Sequence, residues 1–213
     1  MPASFRRRHL PHYDVDHATY FITTCLAGSL PARGGLKDGN QQAATNRRQI
    51  GARDTAAVLD DPVLQAEFTA TEAWLDDRPL IRWLRDHRLA AIVSEELLSK
   101  AGAWYDLHAY VVMPSHVHWV CTPREQWRTE QQQAGCCPRA TLVRAIKGRT
   151  ARACNRVLGR EGAFWQSESY DRVVRKTEEL ERFVQYVEYN PVKAGLCQRP
   201  EEWEFSSAGA GRL

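Results

Sequence analysis

The apolar positions of this chain fall into two kinds of run. In residues 18–26 (ATYFITTCL) aromatic and β-branched side chains crowd together, the composition that a pleated, half-buried strand accommodates best. Residues 104–113 (WYDLHAYVVM) and 116–122 (HVHWVCT) have the same character, with only Pro114 and Ser115 between them. That spacing predicts adjacent strands joined by a tight turn. The second kind of run recurs at helical spacing. Residues 88–100 (RLAAIVSEELLSK) predict a helix ending near Gly102, and residues 138–158 predict one opened by Pro138. Residues 177–189 (TEELERFVQYVEY) predict an amphipathic helix in which Thr177 caps, Glu178 and Glu179 favour the positive end, and Asn190-Pro191 is the stop. A helical pattern also runs through residues 56–84 by way of Val63, Leu64, Phe68, Trp74 and Leu75. Residues 161–174 read as a loop running into a strand.

The segments between these elements are polar. Residues 28–51 are glycine-rich and predict a flexible loop, and the glutamine-rich stretch within 126–137 predicts a second one, a low-complexity linker. Residues 1–17 form a basic N-terminal arm carrying Arg6, Arg7 and Arg8. The order of strand, helices, two strands, helix, strand and helix predicts an α+β fold with helices over an antiparallel sheet. At 213 residues, with 43% hydrophobic content, the chain suits a single domain over 1–213.

Charge adds more through its distribution than its sum. A formal net charge of +3 does not by itself announce a nucleic-acid partner. Residues 139–160, however, hold seven basic side chains (Arg139, Arg144, Lys147, Arg149, Arg152, Arg156 and Arg160) and no acidic one. Such a helix either attracts phosphates or presents a merely solvated basic face. Six cysteines lack paired spacing, and Cys136 and Cys137 are adjacent, unlike zinc-knuckle ligands. No apolar stretch follows the N-terminal arginines, and no run approaches the ~18 residues of a membrane span. The expectation is a reduced, soluble, cytoplasmic protein.

Two places carry candidate chemistry. His116 and His118 alternate on a predicted strand, so their imidazoles share a face with backbones roughly 6–7 Å apart. They can chelate a divalent ion, or they can simply form a polar face; the motif alone leaves both open. On the last helix, at about 100° per residue, Leu180, Phe183, Val184 and Val187 make one apolar stripe. Tyr186 and Asn190 lie one turn apart on a flank of that stripe, and Tyr189 falls opposite it, toward solvent. Tyr186 is thus the better placed nucleophile of the two tyrosines, or else a boundary tyrosine with a wet hydroxyl.

These residues sit in stretches that resemble a known family. Residues 110–120 (YVVMPSHVHWV) and 186–196 (YVEYNPVKAGL) resemble the histidine motif and nucleophile helix of REP-associated tyrosine transposases, within the single-tyrosine HUH superfamily. Residues 7–31 (RRHLPHYDVDHATYFITTCLAGSLP) and 164–175 (FWQSESYDRVVR) agree with it. The resemblance covers about half the chain and does not extend to residues 32–100 or 126–137. It implies a ferredoxin-like, RRM-like HUH nuclease fold, Tyr186 as nucleophile, and His116, His118 and Asn190 as ligands to Mg²⁺ or Mn²⁺. Relatives often carry Asn where this chain has Tyr189.

A metal-bound phosphate and a nearby phenol suit cleavage of single-stranded DNA to a 5′-phosphotyrosine intermediate with a free 3′-hydroxyl. The resemblance implies strand transfer on REP-like hairpins, with single-stranded or hairpin DNA as partner and no membrane. Arg144, Lys147, Arg149, Arg152, Arg156, Arg7 and Arg8 are the expected DNA contacts, and Trp165 or Tyr170 candidates to stack bases. Trp119 alternates away from the histidines and reads as core. The expected state is monomer or homodimer, nucleoid-associated when bound to DNA. The rivals are a replication initiator, for which there is no P-loop, a catalytically silent DNA-binding regulator of the same fold, and a zinc protein using Cys136 and Cys137.

Overall fold

The structure is a computed structural model describing residues 4–7, 11–29 and 80–209. The N-terminal arm is a hairpin of β1 (Ser4–Arg7) and β2 (Pro11–Asp14). There follow β3 (Thr19–Cys25), α1 (His87–Lys100), β4 (Tyr105–Val112), β5 (His116–Pro123), α2 (Glu125–Gln133), α3 (Pro138–Leu158), β6 (Tyr170–Val174) and α4 (Thr177–Lys193). The main sheet has the order β4-β5-β3-β6 with every neighbour antiparallel. Without the hairpin and α2, the succession β3-α1-β4-β5-α3-β6 is the βαββαβ arrangement of ferredoxin-like folds, with α4 added at the end.

Strand alternation divides the core into two layers. Tyr20, Ile22, Val112, Val117 and Trp119 face α1 and α3, where Leu89, Val93, Leu142 and Ile146 are buried. Phe21, Val111, Val120 and Val174 face the other way, onto α4 and its Val187. A register shift between Leu107 and Ala109 reverses the alternation within β4, so both residues meet the layer they need. Each large apolar side chain so buried contributes roughly 1.5–3 kcal/mol.

Two elements depart from the pattern expected of the sequence. The glutamine-rich stretch expected as a linker folds into α2, because Gln and Glu are good helix formers and two anchors hold the segment down. Trp127 stacks on Trp104 at 5.5 Å between ring centroids, and the buried Arg128 pairs with Asp16. Second, α4 does not stop at Asn190-Pro191 but runs to Lys193 with Pro191 inside it. A proline so near the end removes only one late helical bond. The helix closes beyond it through Ala194 N–H on Asn190 O at 3.0 Å and Gly195 at φ 67°. Thr177 is already helical and does not cap; the Glu179 carboxylate accepts from the Arg175 N–H at 2.9 Å instead. Of the helical pattern expected over 56–84, residues 56–79 lie outside the described residues, as does most of the loop expected over 28–51; Trp83–Arg85 form a 3₁₀ turn.

The outer edge of β4 is covered by residues 203–207. Val112 N–H donates to Phe205 O at 2.8 Å, Ser207 N–H donates to Tyr110 O at 2.9 Å, and Trp203 Nε1–H donates to Val112 O at 3.0 Å. This satisfies backbone groups that an open sheet edge would expose. Among the described residues no helix is long and apolar enough to cross a membrane.

Candidate active site

The face of the sheet under α4 carries His116 and His118, which are 1% and 0% exposed. Their Nε2 atoms stand 2.9 Å apart. Each Nδ1 is held by a neighbouring hydroxyl: Ser115 Oγ for His116 and Thr23 Oγ1 for His118, both at 2.9 Å. Thr23 lies directly across from His118 in the β3–β5 register. Where each Nδ1–H donates to its hydroxyl, both Nε2 lone pairs converge on one place, where a cation would hold them; in the other tautomer of one ring, its Nε2–H donates to the other Nε2. Two ligands at right angles, each about 2.1 Å from one ion, would stand about 3 Å apart. The pair therefore fits a chelate, with the outer hydrogen bonds that fix the orientation of metal-binding imidazoles.

The apolar stripe of α4 seats the helix on this face, through Phe183 stacked on Phe21 at 4.6 Å and the buried Val187. The half-buried Tyr186 then meets His118 edge-on, at 5.6 Å between ring centroids. Tyr189 is 53% exposed on the far side, as the helical arithmetic requires. Asn190, one turn beyond Tyr186, is 0% exposed, yet among the described residues neither its Oδ1 nor its Nδ2 has a hydrogen-bond partner. A buried unpaired polar atom costs about 1–3 kcal/mol, so such a side chain points to a partner of another kind. A small hard cation taking the amide oxygen would supply one. Among the described residues no group of three or more His, Cys, Asp or Glu is placed to hold a metal. A third side-chain ligand among the described residues is then of another type, such as the Asn190 amide, and Cys136 and Cys137 build no zinc cluster there.

The basic residues are placed differently from the expectation. Helix α3 packs with α1 on the opposite face of the sheet, so the basic helix does not lie beside the histidines. The βαββαβ order dictates this, since its two crossover helices cover one face. On α3, Arg144, Arg152 and Arg156 are exposed. Arg149 instead pairs with Glu96 at 2.9 Å and lies over Trp104. Lys147 is turned inward: Nζ donates to the carbonyls of Gln166, Ser167 and Glu168 at 2.6, 3.2 and 3.4 Å. Burial pushes this amine down to about 8. Arg139 bridges Asp14 and Asp171 within the fold, at 3.0 Å to each. Arg7 lies in β1, and Arg8 falls outside the described residues.

Of the two aromatics expected to stack bases, Trp165 is buried and donates Nε1–H to Thr150 Oγ1 at 2.9 Å, which leaves it no open face. Tyr170 stands opposite Thr23 on edge strand β6, half-buried on the histidine side. The hydroxyls of Thr23 and Ser115 are the site residues that sequence reasoning missed. Ser115 lies beside the motif, but only strand register brings Thr23 to His118. No disulfide joins any of the described cysteines.

No protein-family model matches the chain. Over 103 residues it is 28% identical to the REP-associated tyrosine transposase of Escherichia coli (strain K12), which covers 48% of this chain and 54% of that protein. Over 53 residues it is 34% identical to a putative REP-associated tyrosine transposase of Haemophilus influenzae, covering 25% of this chain and 30% of that one. The chain spans about half the length of the first relative and less than a third of the second. A solved structure of a REP-associated tyrosine transposase bound to a REP hairpin superimposes with a TM-score of 0.52 at 18% identity, covering 96% of this chain and 84% of that one. At that identity the likeness is one of fold. The chain is similar to REP-associated tyrosine transposases, in sequence over about half its length and in fold over nearly all of it.

Proposed function

We propose that this protein is a metal-dependent single-stranded DNA endonuclease and strand transferase that uses Tyr186 as its nucleophile. The observation that carries this reading is the convergence of the His116 and His118 Nε2 atoms, 2.9 Å apart, beside the Tyr186 ring. His116, His118 and the amide oxygen of Asn190 are the residues that would hold Mg²⁺ or Mn²⁺. When bound, the ion polarises the scissile phosphate and offsets charge on its non-bridging oxygens.

The chain's own residues do the rest. Thr23 and Ser115 fix the imidazoles, and the apolar stripe of α4 fixes the tyrosine over the sheet. Tyr186 Oη attacks phosphorus and gives up its phenolic proton to solvent; the P–O3′ bond breaks, and the departing 3′ oxygen takes a proton. The products are a 5′-phosphotyrosine and a free 3′-hydroxyl. A second 3′-hydroxyl reverses the step and joins new ends, because one phosphoester replaces another throughout. The named relatives and the hairpin-bound neighbour support a hairpin DNA substrate of the REP type, and the exposed Arg144, Arg152 and Arg156 supply salt-sensitive phosphate contacts to it.

The test is incubation of labelled single-stranded hairpin DNA with the protein and Mn²⁺, followed by a denaturing gel. The wild type and Tyr189→Phe should form a covalent adduct, and Tyr186→Phe should not. An adduct that survives Tyr186→Phe overturns the assignment. Tight binding without an adduct from any hairpin favours the silent regulator.

A further inference from the structure

We propose that Lys193 is a second cationic grip on the scissile phosphate, pairing with a non-bridging oxygen while Tyr186 attacks; this rests on the proposed cleavage reaction. Lys193 occupies the last turn of α4, seven residues after Tyr186. Seven residues are about two helical turns, so Tyr186, Asn190 and Lys193 share one flank of the helix. The axial separation is about 10 Å, yet Lys193 Nζ lies 5.6 Å from the centre of the Tyr186 ring. The side chain therefore folds back toward the N-terminus along the helix, the direction in which helical side chains lean. Its residue is exposed while the tyrosine is half-buried, which places the ammonium at the mouth of the site rather than inside it.

That placement complements the histidines. The imidazole pair approaches from the sheet, and the ammonium reaches the same phenol ring from the helix. A phosphate bound against that phenol would meet a cation from each direction. A phosphodiester carries one negative charge, and charge grows on its non-bridging oxygens as the phenol attacks. A lysine ammonium so placed acts as a point charge with three donors. A lysine at a helix C-terminus also favours the helix dipole, so the test has to separate a phosphate contact from helix stabilisation.

The scissile linkage is first mapped from the adduct formed by the wild type. Binding is then measured by fluorescence anisotropy with the uncleaving Tyr186→Phe protein in EDTA. Two otherwise identical hairpins are compared: one with the natural phosphodiester at the scissile position, one with a neutral methylphosphonate there. With Lys193 present the methylphosphonate should weaken binding about tenfold, the scale of one charge-assisted contact. With Tyr186→Phe/Lys193→Gln the two hairpins should bind alike, and Lys193→Arg should restore most of the difference. A purely structural lysine would leave the methylphosphonate penalty unchanged in the Gln variant, and that result overturns the proposal. A wild type that forms no adduct at all sinks the cleavage reading and this proposal together. An adduct with an unchanged penalty sinks the lysine alone.

Discussion

Replacement of Asn190 by leucine should stabilise the metal-free protein and abolish its response to metal. The Asn190 side chain is fully buried, and among the described residues its Oδ1 and Nδ2 both lack a partner. Each unpaired atom costs about 1–3 kcal/mol, a charge that leucine of similar volume would not carry. Allowing for imperfect fit of the branched side chain, a net gain of about 1–3 kcal/mol is expected. For a chain of this size, 1 kcal/mol moves Tm by about 2–4 °C, so the metal-free variant should melt roughly 2–12 °C above the wild type. Adding Mn²⁺ should reverse the order. At a thousandfold excess over Kd, binding adds about 4.1 kcal/mol to the wild type, and the leucine variant should gain far less. Thermal melts by circular dichroism in EDTA and in a Mn²⁺ series measure both. A metal-free Asn190→Leu protein that melts below the wild type would mean that the amide is satisfied within the fold, and the ligand argument would fail.

Three further outcomes follow from the same geometry. Thr23→Val removes the hydroxyl at 2.9 Å from His118 Nδ1 and should weaken Mn²⁺ affinity about 10- to 100-fold, read by calorimetric titration; unchanged affinity would deny the threonine its orienting role. Lys147 has a folded-state value of about 8, lowered by burial. Its unfolded form holds the proton up to about 10.4. The unfolded state thus binds more protons between those values, and stability should rise with pH across that window by up to about 3 kcal/mol. The Tm of the wild type relative to Lys147→Met should climb from pH 8 to pH 10, and a flat difference would contradict it. Trp127→Ala should cost about 3–5 kcal/mol by removing the stack on Trp104, lowering Tm while leaving adduct formation intact. Proteolysis within 125–135 at the wild-type rate would show that α2 is not anchored there.

The legible parts of this protein were those where one local period decides the outcome. The β4–β5 pair followed from two β-branched runs around Pro114-Ser115, α3 from its opening proline, and the separation of Tyr186 from Tyr189 from helical angles alone. Long-range pairing was the illegible part. Nothing near Thr23 signals that strand register will set it across from His118. Nor does any local feature reveal that the basic helix crosses behind the sheet, which is a consequence of topology rather than of its own residues. Lys147 and Arg149 look like DNA contacts as members of an acid-free run; the carbonyls of residues 166–168 and the Glu96 carboxylate claim them in three dimensions. The glutamine-rich segment misled for a related reason: its polarity suggested a linker, while two anchors, Trp127 and Arg128, decide its structure.

The central claim is tested most directly by locating the covalent bond. After reaction with hairpin DNA and Mn²⁺, nuclease trimming and tryptic digestion, the peptide spanning residues 183–193 (FVQYVEYNPVK) carries both tyrosines, and fragmentation in the mass spectrometer distinguishes them. A nucleotide linked through a 5′-phosphate to Tyr186 is the predicted result. The same mass on Tyr189, or on no residue of this peptide while DNA is nevertheless cut, would contradict it.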